Sequence, residues 1–144
     1  MPFIGELVTK PLPLRFEQRK LFNIVPYKKT IIEWEIYEDF GYKDNELNIT
    51  VIVVKGSRTD FASIPRIFWS ILPPWYPTYG QPAVIHDYLY RHGLYTRKIS
   101  DLIFLHAMQE SNVVLWKQII MFNAVRIFGR SSYQKSHTSS LRIL

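Results

Sequence analysis

The sequence predicts an α+β fold, with strands first and helices after. Three observations carry that expectation. Residues 30–55 have β patterning, with Ile32, Trp34 and Ile36 alternating against Glu33, Glu35 and Tyr37 before a Val- and Ile-rich run. Residues 82–128 carry three blocks of helical period separated by short breaks. The change falls near Thr59, in RTDFASIPRIFWSIL, where a strand ending meets a helix-start signal. A small N-terminal antiparallel sheet packed against a C-terminal cluster of three helices follows.

Taken in order, the first 26 residues are punctuated by Pro2, Pro11, Pro13 and Pro26 and read as an extended arm. TIIEWEIYEDF reads as a half-buried strand, GYKDNE as a turn and LNITVIVVKG as a more buried strand. Together they predict a hairpin with Lys43-Asp44-Asn45 at its tip. Ser63 is the expected N-cap of a short helical start, with Pro65 in its first turn. PPWYPTYGQP is a stiff aromatic loop. Helices are expected over Pro82 to His92, Arg97 to Ser111 and Val114 to Phe128, with Gly129 as the stop signal. Residues 130–144, RSSYQKSHTSSLRIL, are Ser-rich and basic and read as a flexible tail.

Composition narrows the classes. At 144 residues a single domain, 1–144, is expected, and 47% hydrophobic content supplies a sizeable core. With no cysteine, disulfide scaffolds and thiolate–zinc sites are excluded. The opening MPFIGELVTK lacks a charged-then-apolar leader, so export by a signal peptide is not expected, and no apolar run reaches membrane-spanning length. A net charge of +6 favours acidic partners, anionic lipid or nucleic acid. No recognition-helix or zinc-finger spacing accompanies it, so nucleic-acid contact through the basic tail is not favoured.

The first two helices hold the chemistry. His86 lies seven residues before Gly93 and Asp101 eight after it. Arg91 to Thr96 is a short connection, which sets the helices antiparallel and brings those two residues level. Asp101 is expected to accept the Nδ1 proton of His86 and leave Nε2 free as a base. Asp87 points to another side, where it offers oxygen to a hard cation such as calcium. Tyr90, one turn from His86, is placed to bond Asp101 or Asp87. A buried His–Asp pair equally well pins helix register, so site and structural pair both stand. Asp60 reads mainly as a cap at a strand-to-helix corner, and secondly as a third carboxylate facing His86. His92 and His106 fit no zinc spacing with His86. Trp69, Trp75, Tyr76 and Tyr79 form a dense aromatic patch suited to an interface anchor or a lid. Trp116, Lys117 and Arg126 suggest a lipid headgroup contact, though helix three reads more simply as core. There is no Ser or Cys nucleophile motif and no phosphate-cradling Gly loop.

In order, TDFASIPR, AVIHDYLY, TRKISDLIFLHAM and FNAVRIFG with Tyr133 resemble an uncharacterised family of small proteins encoded by tailed bacteriophages and prophages. The likeness spans Val51 to Tyr133 and implies a phage origin. More distantly, His86-Asp87-x-x-Tyr90 with Asp101 is similar to the phospholipase A2 constellation. That similarity implies His86 as base, Asp87 as calcium ligand, and Tyr90 and Asp101 as orienting groups. In place of the Gly-rich cation loop of that family stands WSILPPWYPTYG. The reading is a virion-associated structural or adaptor protein of the tail, neck or baseplate, made in the host cytoplasm and partnered by other phage structural proteins. The alternative is a calcium-assisted hydrolase acting on a lipid ester or another envelope component, and a lysis or host-takeover factor is a third.

Overall fold

A computed structural model describes residues 2–13, 15–21, 25–31, 33–60 and 77–143, with side chains for 2–13, 33–60, 80–130 and 133. Strands β1 (Phe3–Ile4), β2 (Thr9–Pro11), β3 (Arg15–Leu21), β4 (Val25–Ile31), β5 (Trp34–Ile36), β6 (Phe40–Asp44), β7 (Ile49–Val53) and β8 (Arg58–Thr59) precede helices α1 (Pro77–His92), α2 (Arg97–Glu110) and α3 (Leu115–Ile143). The α+β class and the order of strands before helices are as expected.

Among the described residues the strands form three small antiparallel sheets, ordered β1-β6-β7, β2-β5-β8 and β3-β4. In the first, Phe40 faces Val53 and Asp44 faces Ile49 across the β6–β7 hairpin. Phe40, Tyr42, Val51 and Val53 point inward while Lys43, Thr50 and Ile52 stay exposed, the alternation a one-sided sheet requires. The hairpin departs from its expected form. Lys43 and Asp44 are strand, and the connection is Asn45 to Asn48. Asn48 adopts φ 53°, a left-handed value that Asn tolerates, and the Asp44 carboxylate accepts the Leu47 N–H at 2.9 Å.

The expected single strand over residues 30–40 is split. β5 bonds to β2 and β8, and only beyond Asp39 does the chain enter β6. The Ile36 N–H donates to Ser57 and the Tyr37 N–H to Val8, so the edge of β5 is taken before β7 can reach it. Of the expected 26-residue arm, the first part is zipped onto the sheets through β1 and β2, but Arg15–Leu21 pairs with Val25–Ile31 as a hairpin that runs past Pro26, which the sequence did not predict.

The helical hairpin α1–α2 lies over the inward face of β6–β7. Ile85, Leu89, Ile103, Phe104, Ala107 and Met108 join the four inward sheet residues in one core. Each large apolar side chain buried there contributes about 1.5–3 kcal/mol. The first helix starts five residues earlier than its pattern suggests. Pro77 takes the favoured first position, and the helix tolerates Pro82 inside it, forgoing one N–H bond. Thr96 caps α2, its hydroxyl accepting the Ile99 N–H at 3.3 Å. The third helix does not stop at Gly129, and the expected flexible tail is helical through Ile143. Ser63, Trp69, Trp75 and Tyr76 lie outside the described residues, and Tyr79 lies in the first turn of α1.

Candidate functional site

The short turn that reverses α1 into α2 brings His86 and Asp101 together as the spacing predicts. Nε2 of His86 lies 2.7 Å from Oδ1 of Asp101, and the two residues are 1% and 0% exposed. The contact corrects the expected wiring: the carboxylate engages Nε2, not Nδ1. Nδ1 is buried and has no hydrogen-bond partner. The hydroxyl of Tyr90, one turn along α1, donates to the same Oδ1 at 2.6 Å. From α3, the Arg126 guanidinium donates to Oδ2 at 2.7 Å. One carboxylate on α2 thus gathers donors from both neighbouring helices. The imidazole is further boxed by the rings of Tyr90 and Phe104, with centroids 4.1 and 4.7 Å away.

The electrostatics follow from burial and pairing. Burial pushes His86 below its ordinary value, and the hydrogen bond to Asp101 only partly opposes it. Burial works to raise Asp101, but donors from His86, Tyr90 and Arg126 outweigh it and hold the carboxyl below the usual range. Burial and the adjacent anion raise the Tyr90 hydroxyl. His86 is therefore neutral with its proton on Nε2, Asp101 is ionised, and the lone pair sits on Nδ1.

Asp87 turns to a second cluster, as its offset along the helix predicts. Arg91, four residues on, bonds both its oxygens at 3.2 and 3.0 Å and reaches Glu33 at 3.2 Å. The backbone N–H of Asp60 donates to Asp87 at 3.3 Å, and the Asp60 carboxylate lies 3.9 Å from Arg91. The Asp60 backbone thus ties the chain just after β8 to α1, and the segment whose start its carboxylate was expected to cap lies outside the described residues. Burial, then the Asp60 charge, raises Asp87 well above an ordinary aspartate against the pull of Arg91. Among the described residues no three His, Asp or Glu side chains converge to hold a metal ion. His106 stands apart, its Nδ1 2.7 Å from Asp44 and its Nε2 3.2 Å from Glu46, and it fastens α2 to the hairpin tip.

Two members of the network are not apparent from the sequence. Arg126 is 25 residues from Asp101 on another helix. Gly129, read as a stop, lets α3 pass against Tyr90, since a Cβ there would meet the Tyr90 hydroxyl at 2.8 Å. Arg97 steadies the same crossing by donating to the Val125 carbonyl at 3.0 Å and to that of Arg126. The local signal for this arrangement is the run Val125-Arg126-Ile127-Phe128-Gly129, in which a cation and a glycine interrupt an apolar helix.

A small α+β unit whose three described helices are tied by one buried carboxylate is the class that fold and site define. The chain belongs to the DUF1353 family of proteins of unknown function, which it matches over residues 34–125. That span holds His86, Asp87, Tyr90 and Asp101 and ends one residue before Arg126. The uncharacterised protein y4jT of Sinorhizobium fredii is 34% identical over 97 residues, 67% of this chain and 29% of that protein. The uncharacterised protein y4iH of the same organism is 36% identical over 93 residues, 63% of this chain and 38% of that protein. The chain thus spans about a third of the length of these curated relatives. No solved structure matches it.

Proposed function

We propose that the chain is a structural or adaptor module of a larger assembly, in which the His86–Asp101 pair fastens helices and does not run a reaction. One observation carries this reading: Asp101 has no exposed surface, and its carboxylate is saturated by His86, Tyr90 and Arg126 from two other helices. A buried ion held by three donors specifies one helix arrangement, and removing any donor is costly. The unit matches only a part of each longer relative, which suits a module. The phage-like motifs of residues 51–133 favour the tail, neck or baseplate of a tailed phage as that assembly, with other virion proteins as partners. The test compares wild type with His86→Ala and His86→Gln in melting and in hydrolysis of phospholipid vesicles and cell-wall material. Lower melting in the variants and no hydrolysis by any of the three is expected. Hydrolysis by wild type, lost in His86→Gln with melting unchanged, overturns the proposal.

A second reading, a hydrolase, is favoured by the unpartnered Nδ1 of His86, because a buried nitrogen without a partner is uncommon in structural networks. With Nε2 held by Asp101, Nδ1 would be the base that takes a proton from water. The described donors do not make a calcium shell, since Arg91 already occupies the Asp87 carboxylate. Calcium-dependent hydrolysis by wild type, lost in Asp87→Asn, would support this second reading against the first.

A further inference from the structure

We propose that α3 is a membrane-surface helix that docks this unit on anionic phospholipid. The inference stands independently of the module reading above. At about 100° per residue, Leu115, Ile119, Arg130, Asn123, Trp116 and Ile127 fall within a sector of roughly 120° on one side of the helix. Their exposure is anomalous for apolar residues on a helix: Leu115 is 70% exposed, Trp116 51%, Ile119 52% and Ile127 69%. The opposite side carries Gln118, Met121, Ala124 and Val125, all buried against the rest of the protein, with Phe128 beyond them 54% exposed near the end of the packed region. The core therefore uses one face of α3, and the apolar residues opposite it are surplus to folding.

Charge says what covers that face. Over its 29 residues α3 contains no Asp or Glu, and beside Arg126, which is engaged by Asp101, it carries Lys117, Arg130, Lys135 and Arg142. A second copy of so basic a helix would be repelled by the first, and a purely nucleic-acid surface would not need four large apolar side chains facing water. Exposed Trp, Leu and Ile on a helix with cations and no acidic residue is the chemistry of a helix lying at the headgroup boundary, where the apolar residues dip below and the long cationic side chains reach phosphate. Trp116 stands near the start of the stripe with the Lys117 ammonium 5.6 Å from its ring, an amphipathic pair suited to that boundary. No helix of the described residues is long and apolar enough to cross a membrane, so α3 would lie along the surface.

The experiment is co-sedimentation of the full chain with vesicles of phosphatidylcholine mixed with phosphatidylglycerol, and with vesicles of phosphatidylcholine alone. Binding to the anionic vesicles is expected to be tighter on the order of tenfold or more, and to weaken with salt. Ile119→Glu and Ile127→Glu, both at exposed positions, are expected to remove most of the binding with melting unchanged. Failure of wild type to sediment with the anionic vesicles, or undiminished binding by both variants, overturns the proposal. Self-association of wild type that both variants abolish assigns the face to a second copy and overturns it as well. Retention of duplex DNA in place of vesicles assigns the cations to nucleic acid and likewise overturns it.

Discussion

The Tyr90 hydroxyl occupies the space that a Cβ on Gly129 would need, 2.8 Å from where that atom would sit. Tyr90 cannot simply yield, because its hydroxyl is held by Asp101 at 2.6 Å and its ring lies edge-on to Tyr133 at 5.3 Å. Helix propensity alone would make Gly129→Ala stabilising by about 1 kcal/mol. Packing predicts the reverse sign, a loss of about 1–3 kcal/mol from overfilling. Urea unfolding decides the sign. The loss should shrink in the Tyr90→Phe background, where the atom nearest to the new methyl is gone.

Asp101→Asn should be among the most damaging single substitutions. The amide is neutral, and its NH2 faces groups that are themselves donors. Breaking a buried ion network in this way costs about 3–5 kcal/mol. Tyr90→Phe removes one of three donors to the buried carboxylate and should cost about 1.5–3 kcal/mol. Because both act through one carboxylate, their effects should not add, and equilibrium unfolding of the double variant measures the shortfall. Additive losses would show that Tyr90 and Asp101 are not coupled.

Stability should fall on mild acidification, and His86 should be a cause. Its pKa is lowered in the fold from an unfolded value of 6.5, so the unfolded chain binds more protons. Stability is then full above that value and is lost as pH falls through it. A difference of one proton corresponds to a slope of about 1.4 kcal/mol per pH unit. His92, lowered by burial and by Arg91, adds in the same direction. Asp87, raised in the fold, takes up its proton more readily than the unfolded chain and offsets part of the loss at lower pH. Unfolding free energies of wild type and His86→Gln between about pH 7.5 and 5.5 isolate the His86 share. Equal slopes in both would contradict it.

Arg91→Met should show the opposite pH dependence. The guanidinium lowers the Asp87 pKa, and without it a buried carboxylate faces Asp60 with its main cation gone. The damage should be larger at neutral pH than in mild acid, because protonation relieves Asp87. Melting temperatures of the variant relative to wild type across that range provide the check.

Much of this architecture is legible in the chain itself. The helical period of residues 82–128 marks three helices, and the short Gly93 turn makes the first two antiparallel neighbours. From those facts the meeting of His86 and Asp101 follows, as does the separate direction of Asp87, because both depend only on helix geometry and chain spacing. Tyr90 follows for the same reason. The choice of imidazole nitrogen does not, since it depends on a side-chain rotation set by Phe104 and Tyr90 packing around the ring. The stop expected at Gly129 failed because a glycine ends a helix only when nothing else needs its missing side chain. Here the close pass of Tyr90 needs it.

Sequence by itself determined the order of strands before helices, the three helical periods, the α1–α2 pairing and the His86–Asp101 encounter, because each is set by periodicity and by a turn too short to allow another arrangement. Tertiary structure alone decided which strands pair, how Arg126 completes the Asp101 site and which face of α3 is left open. Those outcomes turn on which of several competing partners reaches a given edge or charge first, and the energies involved act across space between segments that no local pattern links.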